Sequence, residues 1–125
     1  MKVLAPPDPV TVASVREALR GLAVAGERKS RRTVAVLGDL DGDHGELMDL
    51  GRFLVRLDLT SLVVVGPASG PVHAGAVLEG SWGSESRHVA STAEAAALLR
   101  PELTPDDVLL VIALPDLLSA LEGAA

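Results

Sequence analysis

The sequence predicts an α/β protein: a three-layer αβα sandwich on a mostly parallel sheet. Three observations predict it. The apolar or β-branched runs at residues 33–37, 62–65 and 108–113 are continuous rather than alternating, as strands covered on both faces require. The stretches between them carry apolar residues at helical spacing. Strand and helix alternate at an interval that suits right-handed βαβ crossovers.

Residues 2–5 read as a short edge strand, ended by Pro6 and Pro7. Asp8-Pro9 predicts a helix start, with a capping carboxylate followed by proline at the first helical position. Val12, Val15, Leu19 and Leu22 then recur on one face, and Gly26 offers a stop. The run 33–37 is the second strand. Leu47, Leu50, Phe53, Leu54 and Leu57 form the stripe of a second helix. The third strand, 62–65, ends at Gly66-Pro67, and a short helix over 72–78 precedes the loop 79–83. Residues 87–90 make a weak strand. Ser91-Thr92-Ala93-Glu94 has capping-box spacing, with Ala95, Leu98 and Leu99 buried behind it. Residues 108–113 are the strongest strand. Pro115-Asp116 opens a last helix bearing Leu117, Leu118, Ala120, Leu121 and Ala124.

One domain spanning 1–125 is expected from 125 residues, with a core of Leu, Val and Ala because Phe53 and Trp82 are the only Phe, Trp or Tyr residues. A net charge of -6 and the scarcity of stacking aromatics argue against nucleic acid, and the charge argues against an anionic membrane surface. No apolar run is long enough to span a bilayer, and residues 1–7 are too short and proline-broken for a secretory signal. A cytoplasmic location is the expectation. With no cysteine there are no disulfides or thiolate metal sites.

Function is expected at the carboxyl ends of the strands, where open α/β sheets bind ligands. There the second strand runs into Gly38 and an acidic turn, Asp39, Asp41, Asp43, His44 and Glu46, the candidate ligand-edge loop. It has no Gly-rich phosphate cradle and no Lys to follow one. Its spacing opens like a calcium loop, yet His44 stands where Gly is needed and Leu50 where a bidentate Glu is needed. A solvated turn is the better reading, with Asp39 capping backbone amides and Asp43 capping the next helix; no metal is assigned. His73 and His88 read as single histidines in separate loops, without a nucleophile at useful spacing. His73 and Trp82, the latter alone in a Gly-rich loop, are candidate partner-binding residues; for Trp82, capping the core is an equal alternative. Arg28, Lys29, Arg31 and Arg32 sit at the amino end of a strand and read as a solvated loop. Leucines on two faces of the last helix leave room for a homodimer seam.

Four passages carry a resemblance: Val34-Ala35-Val36-Leu37-Gly38-Asp39-Leu40; Leu62-Val63-Val64-Val65-Gly66; His73-Ala74-Gly75-Ala76-Val77-Leu78-Glu79-Gly80-Ser81-Trp82-Gly83-Ser84-Glu85-Ser86; and Ala95 to Leu99 through Asp107-Val108-Leu109-Leu110-Val111. Together they resemble the C-terminal domain of the Mur ligases of peptidoglycan synthesis, most of all the D-alanyl-D-alanine-adding branch in its actinobacterial form. The resemblance implies a Rossmann-like lobe that closes over a separate ATPase domain. It also implies an Asp-x-Tyr-Asn-Ala-Asn-Pro segment holding nucleotide, which aligned on Pro9 puts its acid on Val3, its Tyr on Ala5 and its two Asn on Pro6 and Asp8. The family's loop after the Gly-Asp turn is longer and carries a His that falls here on Leu47. The family's Lys-x-Ser-Arg falls on Ile112, Ala113, Leu114 and Pro115. The expectation is a non-catalytic module that binds itself or a Mur-type ligase partner, without a cofactor; ATP and Mg²⁺ would enter only through a complete ligase. Two alternatives stand beside it: a domain of a working ligase whose ATPase domain lies elsewhere, and a small-molecule or metal-binding module using the turn 39–46.

Overall fold

The computed structural model describes residues 1–28 and 30–122, so Lys29 of the basic run and Ala124 of the last helix lie outside the described residues. Five strands and five helices alternate: β1 (Lys2–Leu4), α1 (Val12–Glu27), β2 (Thr33–Leu37), α2 (His44–Arg56), β3 (Ser61–Val65), α3 (Gly70–Leu78), β4 (Ser86–Val89), α4 (Thr92–Leu99), β5 (Val108–Ile112) and α5 (Leu117–Glu122). The sheet has the order β1-β5-β2-β3-β4, and every pairing is parallel. Every residue of β2, β3 and β5 is buried, which accounts for their unbroken apolar runs.

The two sheet faces carry separate cores. Ala35, Leu37, Leu62, Val64, Leu110 and Ile112 pack under α1, α2 and α3. Val34, Val36, Val63, Val65, Leu109 and Val111 pack under α4 and α5. Right-handed crossovers require this division: the steps β1 to β2, β2 to β3 and β3 to β4 run one way across the sheet, while β4 to β5 returns. At the centre, β2 and β5 are neighbours whose chains leave toward opposite faces. On the other side of β5, β1 also leaves toward the α1 face, and the carboxyl ends of β1 and β5 frame a crevice at that second change of face.

Local chemistry moves some boundaries. Helix α1 starts at Thr11 rather than Asp8, because Thr11 and Ser14 satisfy each other's backbone amides in a capping box. Gly26 does not end the helix. It lies inside α1, where a Cβ would strike the Thr33 side chain, so its role is close approach to β2. At α4, Ser91 accepts from the Glu94 amide at 3.2 Å, but the Glu94 carboxylate takes the Ala90 N–H at 3.1 Å instead of that of Ser91. The predicted box is thus half made. Arg32 leaves the solvated loop to face Asp107, 3.8 Å away and buried, and to donate to the Glu102 carbonyl at 3.3 Å.

Helices α2 and α3 meet backbone to backbone. A Cβ on Gly75 would fall well inside contact distance of the Met48 carbonyl, and one on Gly51 would do the same to the Val72 carbonyl. Alanine at either site gains up to about 1 kcal/mol of helix propensity. Overpacking against main chain that cannot rotate aside costs more, so Gly75→Ala is expected to lose about 2 kcal/mol net or more in urea unfolding. An unchanged midpoint refutes the close contact.

Candidate functional site

The carboxyl edge of the sheet is built from the loops after β2, β5 and β1. Gly38 follows β2 and is fully engaged: its N–H donates to the Ile112 carbonyl at 2.8 Å, and its carbonyl accepts from the Ser69 hydroxyl at 2.5 Å. A Cβ there would collide with the Ala113 carbonyl, so only glycine lets the β2 and β5 exits cross so closely. Ala113 itself turns the chain out of β5 with φ +62°, a left-handed conformation rare for a residue with a Cβ.

The acidic turn keeps its local role. Asp43 accepts from the Glu46 amide at 2.8 Å, and Glu46 returns a carboxylate to the Asp43 amide at 3.3 Å, a reciprocal cap on α2. The Glu46 amide is the leading cause that holds the Asp43 carboxyl below its ordinary value. Asp39 caps no helix. Its carboxylate accepts from Ser69 Oγ at 3.3 Å instead of capping backbone amides as expected, and it fills the space that a Cβ on Gly66, at a left-handed φ of +99°, would need. Asp39, Asp41, Asp43, His44 and Glu46 are all exposed, and among the described residues no three His, Asp or Glu side chains are grouped to hold a metal ion.

His73 and His88 are not in separate loops. They stand on α3 and β4 with ring centroids 5.9 Å apart. His73 Nδ1 shares a 2.7 Å hydrogen bond with Ser86 Oγ, and His88 Nε2 donates to the Gly66 carbonyl at 2.7 Å. The parallel register that brings β4 beside β3 creates this cluster, and linear spacing gave no sign of it. Ser86 is buried within the strand. Trp82 is half-buried and packs against the core under α1, α2 and α3.

Beside the Gly38–Ala113 crossing lies the crevice, about 290 Å³ in volume. Its walls are Val3, Leu4, Pro6, Pro7 and Val10 on one side, and Val111, Ala113, Leu114, Pro115 and Leu118 on the other. No lining side chain is polar. Val3, Val10 and Leu118 are 42%, 40% and 38% exposed, so its rim is open apolar surface. These are largely the positions onto which the resemblance maps the polar nucleotide- and substrate-holding segments of the family.

No family model matches the chain. Among curated proteins it is 46% identical to the UDP-N-acetylmuramoyl-tripeptide–D-alanyl-D-alanine ligase of Mycobacterium leprae, over 66% of this chain and 17% of that protein. The counterpart in Mycobacterium tuberculosis is 40% identical over 78% of this chain and 23% of that protein. The chain is a homologue of part of a Mur ligase. It spans less than a quarter of the length of these relatives. Two solved structures share the fold: MurF from Acinetobacter baumannii, with a TM-score of 0.73 at 24% identity over 91% of this chain and 26% of that one, and MurF ligase from Thermotoga maritima in complex with ADP, with a TM-score of 0.73 at 15% identity over 97% and 28%. A Mur-ligase scaffold thus carries an all-apolar crevice at its switch point. No helix among the described residues is long and apolar enough to cross a membrane.

Burial and then the neighbouring His88 hold the His73 imidazole below its ordinary value near 6.5. The folded state therefore keeps His73 neutral, while the unfolded chain takes up the proton first. The stability this gives is complete above about pH 6.5 and is lost as pH falls through the folded value. Urea midpoints are expected to drop from about pH 7.5 to about pH 5.5, and less steeply in His73→Gln. Equal slopes in the two proteins refute the assignment.

Proposed function

We propose that this chain is a Mur-ligase C-terminal-type domain, related to peptidoglycan precursor synthesis in the cytoplasm, that does not catalyse ligation alone and acts as a protein-binding or self-associating module. The observation that carries this reading is the apolar crevice. A nucleotide or a peptidyl substrate brings phosphates and carboxylates, and each charge-assisted hydrogen bond to such a group is worth roughly 1.5–3 kcal/mol. The side chains of Val3, Leu114 and Pro115, which line the crevice, offer none. Burying the charges against them unpaired costs several kcal/mol more. An open apolar cavity rimmed by Val3, Val10 and Leu118 instead suits the buried side chains at the centre of a protein interface.

A second reading places the same domain as a lobe of a working ligase whose ATPase domain lies elsewhere. The 46% and 40% identity to proteins named as ligases favours it.

The purified chain is expected to turn over no ATP and to show no thermal shift with ADP and Mg²⁺. Measurable turnover by the chain alone ends the first reading. Nucleotide-dependent ligation on adding an isolated Mur-type central domain selects the second.

A further inference from the structure

We infer that the outer edge of β1 receives an extended segment of a partner protein whose side chains alternate between apolar and acidic. This rests on reading the crevice as a protein-binding surface, and it names the partner's chemistry. Strand β1 ends the sheet and pairs with β5 alone. The Lys2 N–H donates inward to the Asp107 carbonyl at 3.0 Å. Alternation along a strand in parallel pairing then turns the Val3 N–H and carbonyl to the open side.

The two faces that flank this edge differ in chemistry. Toward α5 lies the apolar crevice, with Val3, Val10, Leu114 and Leu118. Toward α1 lies a groove of about 440 Å³, where Lys2, Arg28 and Arg31 surround Leu4, Val24 and Ala25. Among the described residues Lys2, Arg28 and Arg31 pair with no carboxylate, as is also true of Arg16, Arg52 and Arg100, but the first three gather around one groove. In a chain with 17 acidic and 11 basic residues, a groove lined by three cations and no carboxylate stands against the general balance.

A strand laid along β1 sends successive side chains to opposite faces. One set enters the crevice and the other meets the cations of the groove. Main-chain bonds to Val3 fix the register, and the two unlike pockets read the alternation. Because β1 is only three residues long, the backbone bonds are few and the pockets dominate selection.

Fluorescence anisotropy with a labelled peptide of alternating valine and glutamate tests this. An isomer with the valines and glutamates in separate blocks is the control. The alternating peptide is expected to bind at least about tenfold more tightly than the blocked one, and to be released by salt. Val3→Pro removes the outward N–H together with the valine side chain that lines the crevice, and leaves the Lys2 and Leu4 bonds to β5 in place. It should weaken binding about tenfold, as should Arg28→Glu with Arg31→Glu, while thermal unfolding stays unchanged. Equal binding of the two isomers, indifference to both variants, or no binding overturns the inference. So does displacement of the peptide by inorganic phosphate, which marks an anion site, or a dimer in sedimentation that occludes β1. ADP serves as a separate arm: its binding defeats the non-catalytic reading itself, whereas inert ADP with no peptide binding defeats only the β1 assignment.

Discussion

The constraint on which this structure depends is that β2, β3 and β5 are buried on both faces. Parallel neighbours cannot be joined by a tight turn, so each connection must cross a sheet face as a helix. Covering both faces needs connections in both directions, and the return from β4 to β5 supplies the second layer. The reversal that completes the core also sends β5 to the face opposite from β1, and the crevice opens between the exits of these two strands. Core and site are one consequence of chain order.

Elements with a strong local cause were legible in the sequence. The unbroken runs of β2, β3 and β5 and the apolar stripe of α2 each declare their partner surfaces, and Asp43 with Glu46 declares the start of α2. Boundaries set by competing local bonds were less legible. Asp8-Pro9 has the right residues for a cap, but the Thr11–Ser14 pair closes its hydrogen bonds and wins. Gly26 looked like a terminator because glycine often ends helices; its real determinant, the Thr33 methyl, is seven residues away across a loop.

The expected ligand-edge loop at 38–46 stands at the carboxyl edge of the sheet, but the crevice is walled by the loops after β1 and β5 instead. Strand ends pointed to the carboxyl edge, and the segments picked out by the resemblance, 3–9 and 112–115, supply most of the crevice wall. The juxtaposition of His73, Ser86 and His88 comes from the α3–β4 arrangement, which no spacing rule encodes. The partnership of Arg32 with Asp107 likewise needs β5 to lie beside β2. Side chains brought together by sheet order can be named only once that order is known.

The two helical layers are unequal in how closely their helices are held. Backbone contact at Gly51 and Gly75 welds α2 and α3 into a plate that leaves no side-chain play between them. The opposite layer is closed by α5, six residues long and holding the sheet chiefly through Leu117. Thermal opening follows the thinner cover, so amides beneath α5 should exchange with solvent before those beneath the plate. Leu118, at the margin of the crevice, lies on that thinner cover.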